Sequence, residues 1–166
     1  LVGNKNTDTS KKATHALGGL AYENPEIQKE IATPENIKKM VDLVGNEDTD
    51  TSKNAAHALR YLAYKNPEIQ KKIATSENLT ILVDILHSGT PKIAGNAAEA
   101  LGDLAHEDKE IQNRIADTPG CIKGLVGLVG NKNTDTSKKA THALGGLAYE
   151  NPEIQKEIAT PENIKK

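Results

Sequence analysis

The chain has 166 residues, a net charge of −2 and a pI near 6.2, so it carries no basic field to draw in a phosphate backbone. Only 36% of it is hydrophobic and 2% aromatic, with four Tyr and neither Trp nor Phe. That excludes a compact core built on large rings and suits a thin stack of helices in which each repeat touches only its neighbours. The lone cysteine, Cys121, excludes an internal disulfide framework and fits a reducing compartment.

The chain opens on Leu1 rather than Met, which fits a fragment, a processed product or a trimmed chain. No apolar run reaches 18 residues and no signal-type segment opens it, so a cytoplasmic or nuclear chain with no membrane partner is expected. One motif returns along its length: His15-Ala16-Leu17-Gly18-Gly19-Leu20-Ala21, His57-Ala58-Leu59-Arg60-Tyr61-Leu62-Ala63, Glu99-Ala100-Leu101-Gly102-Asp103-Leu104-Ala105 and His142-Ala143-Leu144-Gly145-Gly146-Leu147-Ala148. The spacings from Ala16 to Ala58, Ala100 and Ala143 are 42, 42 and 43 residues, a period that marks a repeat architecture. With Asn24 as boundary, 1–23 is a part-repeat, 24–65, 66–107 and 108–150 are full repeats, and 151–166 is a second part-repeat of a single solenoid.

Three helices are predicted per repeat. The first is short and opens at Asn24-Pro25-Glu26, Asn66-Pro67-Glu68 and Asn151-Pro152-Glu153, each an N-cap followed by Pro at the first helical position and an acid near the positive helix end. Asp108-Lys109-Glu110 keeps the cap without the proline. Ile pairs four apart, Ile27/Ile31, Ile69/Ile73, Ile111/Ile115 and Ile154/Ile158, form the buried stripe. The second helix opens at Thr33-Pro34-Glu35 or Thr75-Ser76-Glu77 and buries Ile37, Met40, Val41 and Val44, matched by Leu79, Leu82, Val83 and Leu86 and by Ile122, Leu125, Val126 and Val129. The extra residue of the 43-residue repeat falls at Thr118-Pro119-Gly120, read as a longer turn. The third and longest helix is expected over 7–22, 49–64, 91–106 and 134–149, with Ala13, Ala16, Leu17, Leu20 and Ala21 as one buried stripe and Leu17, Leu59, Leu101 and Leu144 stacked in register.

Three helices in 42 residues ending in A-L-x-x-L-A resemble the armadillo repeat over the whole chain, with the HEAT repeat as runner-up. The resemblance implies an all-α, right-handed solenoid whose third helices line a concave groove, and a groove that binds extended peptides or partner proteins. In peptide-binding members a Trp precedes A-L and an Asn stands second in the x-x pair. Here the first position holds His15, His57, Glu99 and His142, and the second holds Gly19, Tyr61, Asp103 and Gly146. The asparagine ladder that grips a peptide backbone is therefore absent.

The candidate partner site is the third-helix face: Lys12, His15, Asn54, His57, Tyr61, Asn96, Glu99, Asp103, Lys139 and His142 vary against a constant apolar frame, with Tyr61 as the exposed aromatic anchor. The His column has no reinforcing Cys and reads as a solvated face rather than a metal site. Cys121, with no His near it by sequence register, reads as a structural thiol. Gly18-Gly19 and Gly145-Gly146 inside helices admit two readings, the close approach of a partner backbone or a tolerated divergence. No catalytic constellation, cofactor motif or basic stripe with stacking rings is present, so neither an enzyme nor a nucleic-acid binder is expected.

Residues 1–39 are identical to 128–166, whereas 1–39 differ from 43–81 at twelve positions. A block of 127 residues was therefore duplicated as a unit, which favours, as the alternative function, a self-associating structural or engineered array that stacks head to tail. Ala13, Leu17 and Leu20 at one end, and Ile154, Ile158 and Ile164 at the other, would form that contact.

Overall fold

The computed structural model describes residues 7–106 and 108–164, and among them every regular element is an α-helix. In chain order these are α1 (Thr7–Ala21), α2 (Pro25–Ile31), α3 (Pro34–Val44), α4 (Thr49–Ala63), α5 (Pro67–Ile73), α6 (Ser76–Ser88), α7 (Pro91–Leu104), α8 (Lys109–Ala116), α9 (Cys121–Leu128), α10 (Thr134–Ala148), α11 (Pro152–Ile158) and α12 (Pro161–Ile164). The long helices α1, α4, α7 and α10 pack side by side in one row; α3, α6 and α9 form a second layer behind α4, α7 and α10. The chain is an all-α solenoid of armadillo type.

Local chemistry sets the boundaries. The side chain of Asn24 accepts the amide of Ile27 at 3.2 Å, and Asn66 and Asn151 do the same for Ile69 and Ile154. Thr33 and Thr75 cap α3 and α6, Asp48 and Asn133 cap α4 and α10, and Asp108 caps α8 with two amides. Thr90 makes no side-chain cap, although Pro91 still sets the start of α7. The long helices end at Ala21, Ala63 and Ala148 because Glu23, Lys65 and Glu150 then take φ of 55°, 52° and 49°, left-handed turns that swing the chain into the next Asn-Pro cap. The longer turn at Thr118-Pro119-Gly120 ends with Gly120 at φ 83°, the N-cap position of α9.

The core follows the apolar frame: Met40, Leu59, Leu62, Leu79, Leu82, Leu101, Leu104 and Leu125 are fully buried. Buried glutamines tie the first helix of a repeat to the end of its third. Gln28 donates to the carbonyls of Tyr61 and Tyr64, both at 3.1 Å, and Gln112 repeats this to Gly146 and Tyr149 at 3.1 and 3.3 Å. Each leaves two helix-end carbonyls satisfied inside the solenoid.

Several expectations are corrected. On α1 the stripe is only partly covered: Ala21 is buried and Ala13 and Leu17 are half-buried, but Ala16 is exposed and Leu20 is 59% exposed, because α1 packs on α4 by its other face. Leu59 and Leu101 are buried while Leu17 and Leu144 are half-buried, since each of the latter has a long helix on one side only. Val129 is exposed, because α9 ends at Leu128 and the chain turns away. Ile154 is 3% exposed within its own chain, which removes it from any end-to-end surface. Ile158 is half-buried, and the side chain of Ile164 lies outside the described residues.

Candidate functional site

The third-helix face is a row of polar side chains that largely engage one another. At its centre Glu99 of α7 stands between two bases, His57 Nε2 of α4 at 3.5 Å and Lys139 Nζ of α10 at 3.0 Å. Lys139 also donates to Asn96 Oδ1 at 2.6 Å, Asn96 Nδ2 donates to Ser52 Oγ at 2.9 Å, and Ser52 Oγ donates to the Val44 carbonyl at 2.6 Å. That chain of bonds runs from α10 through α7 and α4 to α3. Asn96, expected in the partner surface, is 3% exposed and is an internal strut. Lys139 and Glu99 are likewise drawn in, at 13% and 18% side-chain exposure, which leaves Lys12, His15 and His142 exposed and Asn54 and His57 half-buried. Burial alone would raise the Glu99 carboxyl; the His57 and Lys139 contacts outweigh it and hold it at about 2.

Asp103, one turn further along α7, has the opposite electrostatics. Burial is the largest influence and pushes its carboxyl up to about 6; Arg60 pulls it down and neighbouring Glu99 adds to the rise. Arg60 Nε is 3.9 Å from Asp103 Oδ2, and that buried oxygen has no hydrogen-bond partner. A desolvated carboxylate with an open acceptor, on the wall of a cleft, is the kind of group that marks a binding site.

The cleft is a half-open groove of about 870 Å³ between the C-terminal halves of α1, α4 and α7 and the starts of α5 and α8. His15, Gly19 and Tyr22 line one wall; Arg60, Tyr61, Tyr64 and Lys65 the centre; Asp103, His106 and Asp108 the other wall; Pro67 and Gln70 the edge. The rings form one cluster: Tyr22 meets Tyr61 edge-on at 5.3 Å between centroids and Tyr64 at 5.1 Å with a 30° tilt. The Arg60 guanidinium sits 4.9 Å from the Tyr61 ring centre and donates to its hydroxyl at 3.2 Å. Tyr61 is thus half-buried and braced by neighbours, not the exposed anchor expected from its place in the row.

A glycine register sets how closely two pairs of long helices pack. A Cβ on Gly18 would stand 3.2 Å from Ala58 Cα, and one on Gly102 would stand 2.7 Å from Ala143 Cα, so α1–α4 and α7–α10 approach as closely as backbone allows. The close approach at Gly18 is therefore by its own neighbouring helix rather than by a partner, while Gly19 and Gly145 have open space. In α4 the same register holds Arg60, whose guanidinium lies against the Tyr61 ring and 3.9 Å from Asp103 of α7. These two helices touch over a shorter stretch than the glycine-based pairs do.

Of the ten residues expected in the partner face, His15, Tyr61 and Asp103 line the groove; the other seven do not. Arg60, Tyr22, Tyr64, Lys65, Gln70 and His106 line it as well, outside the expected set. The signal for Arg60 was legible, since it is the single long side chain in a column otherwise of Gly18, Gly102 and Gly145. Among the described residues no three His, Cys, Asp or Glu side chains group to hold a metal ion, and no helix is long and apolar enough to cross a membrane. Cys121 is buried, and burial pushes its thiol up to about 12. His87 Nε2 does lie 3.1 Å from the carbonyl of Gly120, one residue before it, a proximity the register did not anticipate.

No model of a known protein family and no curated protein sequence matches the chain. Solved structures do. Two crystal structures of engineered proteins match at 27% and 26% identity with TM-scores of 0.83 and 0.82, covering 99% and 95% of this chain and 66% and 65% of theirs. A designed armadillo repeat protein in complex with the peptide (KR)4 matches at 20% identity and a TM-score of 0.75, over 99% of this chain and 74% of its own. The chain thus spans less than two thirds of the length of the first engineered proteins it resembles. The likeness to the designed armadillo protein is one of fold.

Proposed function

We propose that the chain is a non-enzymatic interaction scaffold, one solenoid with full repeats 24–65, 66–107 and 108–150, that binds a protein or extended peptide along its third-helix face. The observation that carries this is the groove of about 870 Å³ in which a braced tyrosine cluster faces a buried carboxylate oxygen with no hydrogen-bond partner. Burying aromatic area beside a desolvated acceptor is how a few residues come to dominate an interface. His15, Tyr61 and Asp103 contribute from the expected set, and Lys12, Asn54, His57, Glu99, Lys139 and His142 shape the face beside them, with Asn96 holding it from beneath. Selection from a displayed peptide library tests the reading. Tyr61→Ala should weaken the best binder at least tenfold, whereas Lys123→Ala on the second-helix layer should not. Equal loss from both variants, or none from Tyr61→Ala, would place the site elsewhere.

A second reading is head-to-tail self-association, favoured by one comparison: Leu20 on α1 is 59% exposed while Leu147, its counterpart in the identical segment, is fully buried against its neighbours. On α1 the half-buried Ala13 and Leu17 and the exposed Leu20 offer a face that a second copy would bury, with Ile158 on the other side and Ile154 excluded by its own burial. Such a contact is heterologous and gives a ring or an open fibre. Light scattering over a wide concentration range should show growth that Leu20→Lys abolishes; a monomer at all concentrations rules it out.

A further inference from the structure

The tyrosine groove has features that narrow the kind of ligand. Its apolar surface is not a smooth aliphatic floor but three rings held against one another at 5.1 and 5.3 Å, giving fixed ridges with polar hydroxyl rims. Among the described residues the one side-chain amide that lines the groove, Gln70, donates to the His106 carbonyl at 3.4 Å. Gly19, Tyr61, Asp103 and Gly146 stand where an amide ladder would be. Gln28 and Asn96 spend their amides inside the solenoid. A strand-like ligand laid here would desolvate its N–H groups without recovering their hydrogen bonds. A proline has no N–H to lose, and a polyproline II segment packs on aromatic ridges while its carbonyls stay in water.

The second feature is charge. Asp103 Oδ2 is buried and without a hydrogen-bond partner, and Arg60 Nε at 3.9 Å attracts it from beyond hydrogen-bond range. A ligand guanidinium or ammonium arriving from the groove would supply the missing donor.

We propose that this groove takes a proline-rich segment carrying one basic side chain, the prolines packing on Tyr22, Tyr61 and Tyr64 and the cation reaching Asp103. This rests on the third-helix face being a binding site and adds the class of ligand. Calorimetric titration of the 166-residue chain with three synthetic twelve-residue peptides tests it: one with proline at alternate positions and a single arginine, the same peptide with glutamine for arginine, and the same with alanine for every proline. The first should bind saturably and the other two at least about tenfold more weakly. Asp103→Asn should erase the preference for arginine over glutamine while keeping that for proline over alanine, and Tyr61→Ala should erase both, with helix content by circular dichroism unchanged. Equal binding of the alanine peptide overturns the proline assignment and leaves the groove in place. An arginine preference that survives Asp103→Asn overturns the role of Asp103. No saturable binding of the first peptide overturns the inference as a whole, and the library selection then decides the groove reading separately.

Discussion

Two stretches of this molecule have the same sequence and different surroundings. Residues 7–37 and 134–164 are identical letter for letter, and the structure forms the same helices in both: α1 and α10 each run 15 residues and α2 and α11 each run 7. The turn residues agree as well, with φ of 55° at Glu23 and 49° at Glu150. Burial does not agree. Leu20 is exposed and Leu147 buried; Ile27 is half-buried and Ile154 buried; Thr14 is buried and Thr141 exposed. Gln28 reaches across to α4, whereas Gln155 is exposed and folds back on the Ala148 carbonyl at 2.8 Å. The helix is the same object pressed against α4 by one face and against α7 by the opposite face. Local sequence makes the helix, and the neighbour decides which of its residues are core.

Paired substitutions turn that comparison into measurements. The largest difference is expected at the leucines: Leu147→Ala should cost about 2–5 kcal/mol by urea denaturation and Leu20→Ala under about 1, because one leaves a cavity and the other removes an exposed side chain. Similar costs at the two positions would mean that α1 is covered in solution.

The glycines should differ even in sign. Gly102→Ala drives a methyl to 2.7 Å from Ala143 Cα and should cost about 1–3 kcal/mol, while Gly145→Ala meets nothing within 4 Å and should stabilise by up to about 1 through helix propensity. Thermal midpoints of the two variants would separate them directly.

Asp103 supplies a third measurement, in pH. Its carboxyl titrates near 6 in the folded chain, above the ordinary value of 3.8, so the folded state holds its proton more tightly than the unfolded state does. Stability from this group falls as pH rises from about 4 to 6 and stays low above that. The facing charges are Glu99 on its own helix, His57 and Arg60 on α4, and His142 on α10. Asp103→Asn should flatten that slope and add on the order of 1–3 kcal/mol at pH 7.5. Glu99 runs the other way: with its carboxyl at about 2, its contribution is full above about 4.5 and is lost as pH falls toward 2. A variant Asp103→Asn with an unchanged pH profile would show the carboxylate to be hydrated.

The smallest expected effect compares the glutamines. Gln28→Ala removes two hydrogen bonds to the end of α4 and one accepted from Asn66, and should cost about 1–2 kcal/mol, against a few tenths for Gln155→Ala, whose bond lies on the surface. Hydrogen exchange at the end of α4 should accelerate in the first variant alone.

The helices, their caps and their period were legible in the sequence because each depends on residues within a turn of one another: Asn24 capping Ile27, Pro25 at the first helical position, Ile pairs four apart. The 42-residue repeat with its apolar frame carried the solenoid, since a thin stack needs little more than nearest-neighbour contacts. The row of third helices was therefore readable, and His15, Tyr61 and Asp103 on it do line the cleft. Which polar groups on that row remain available was not readable. Asn96 becomes a strut because Ser52 and Lys139 reach it from sequence positions 44 and 43 residues away. Asp103 keeps an open acceptor because Arg60, reaching it from α4, stops at 3.9 Å from its carboxylate. Those outcomes depend on distances between helices, and helix spacing is a property of the packed row that no single repeat encodes.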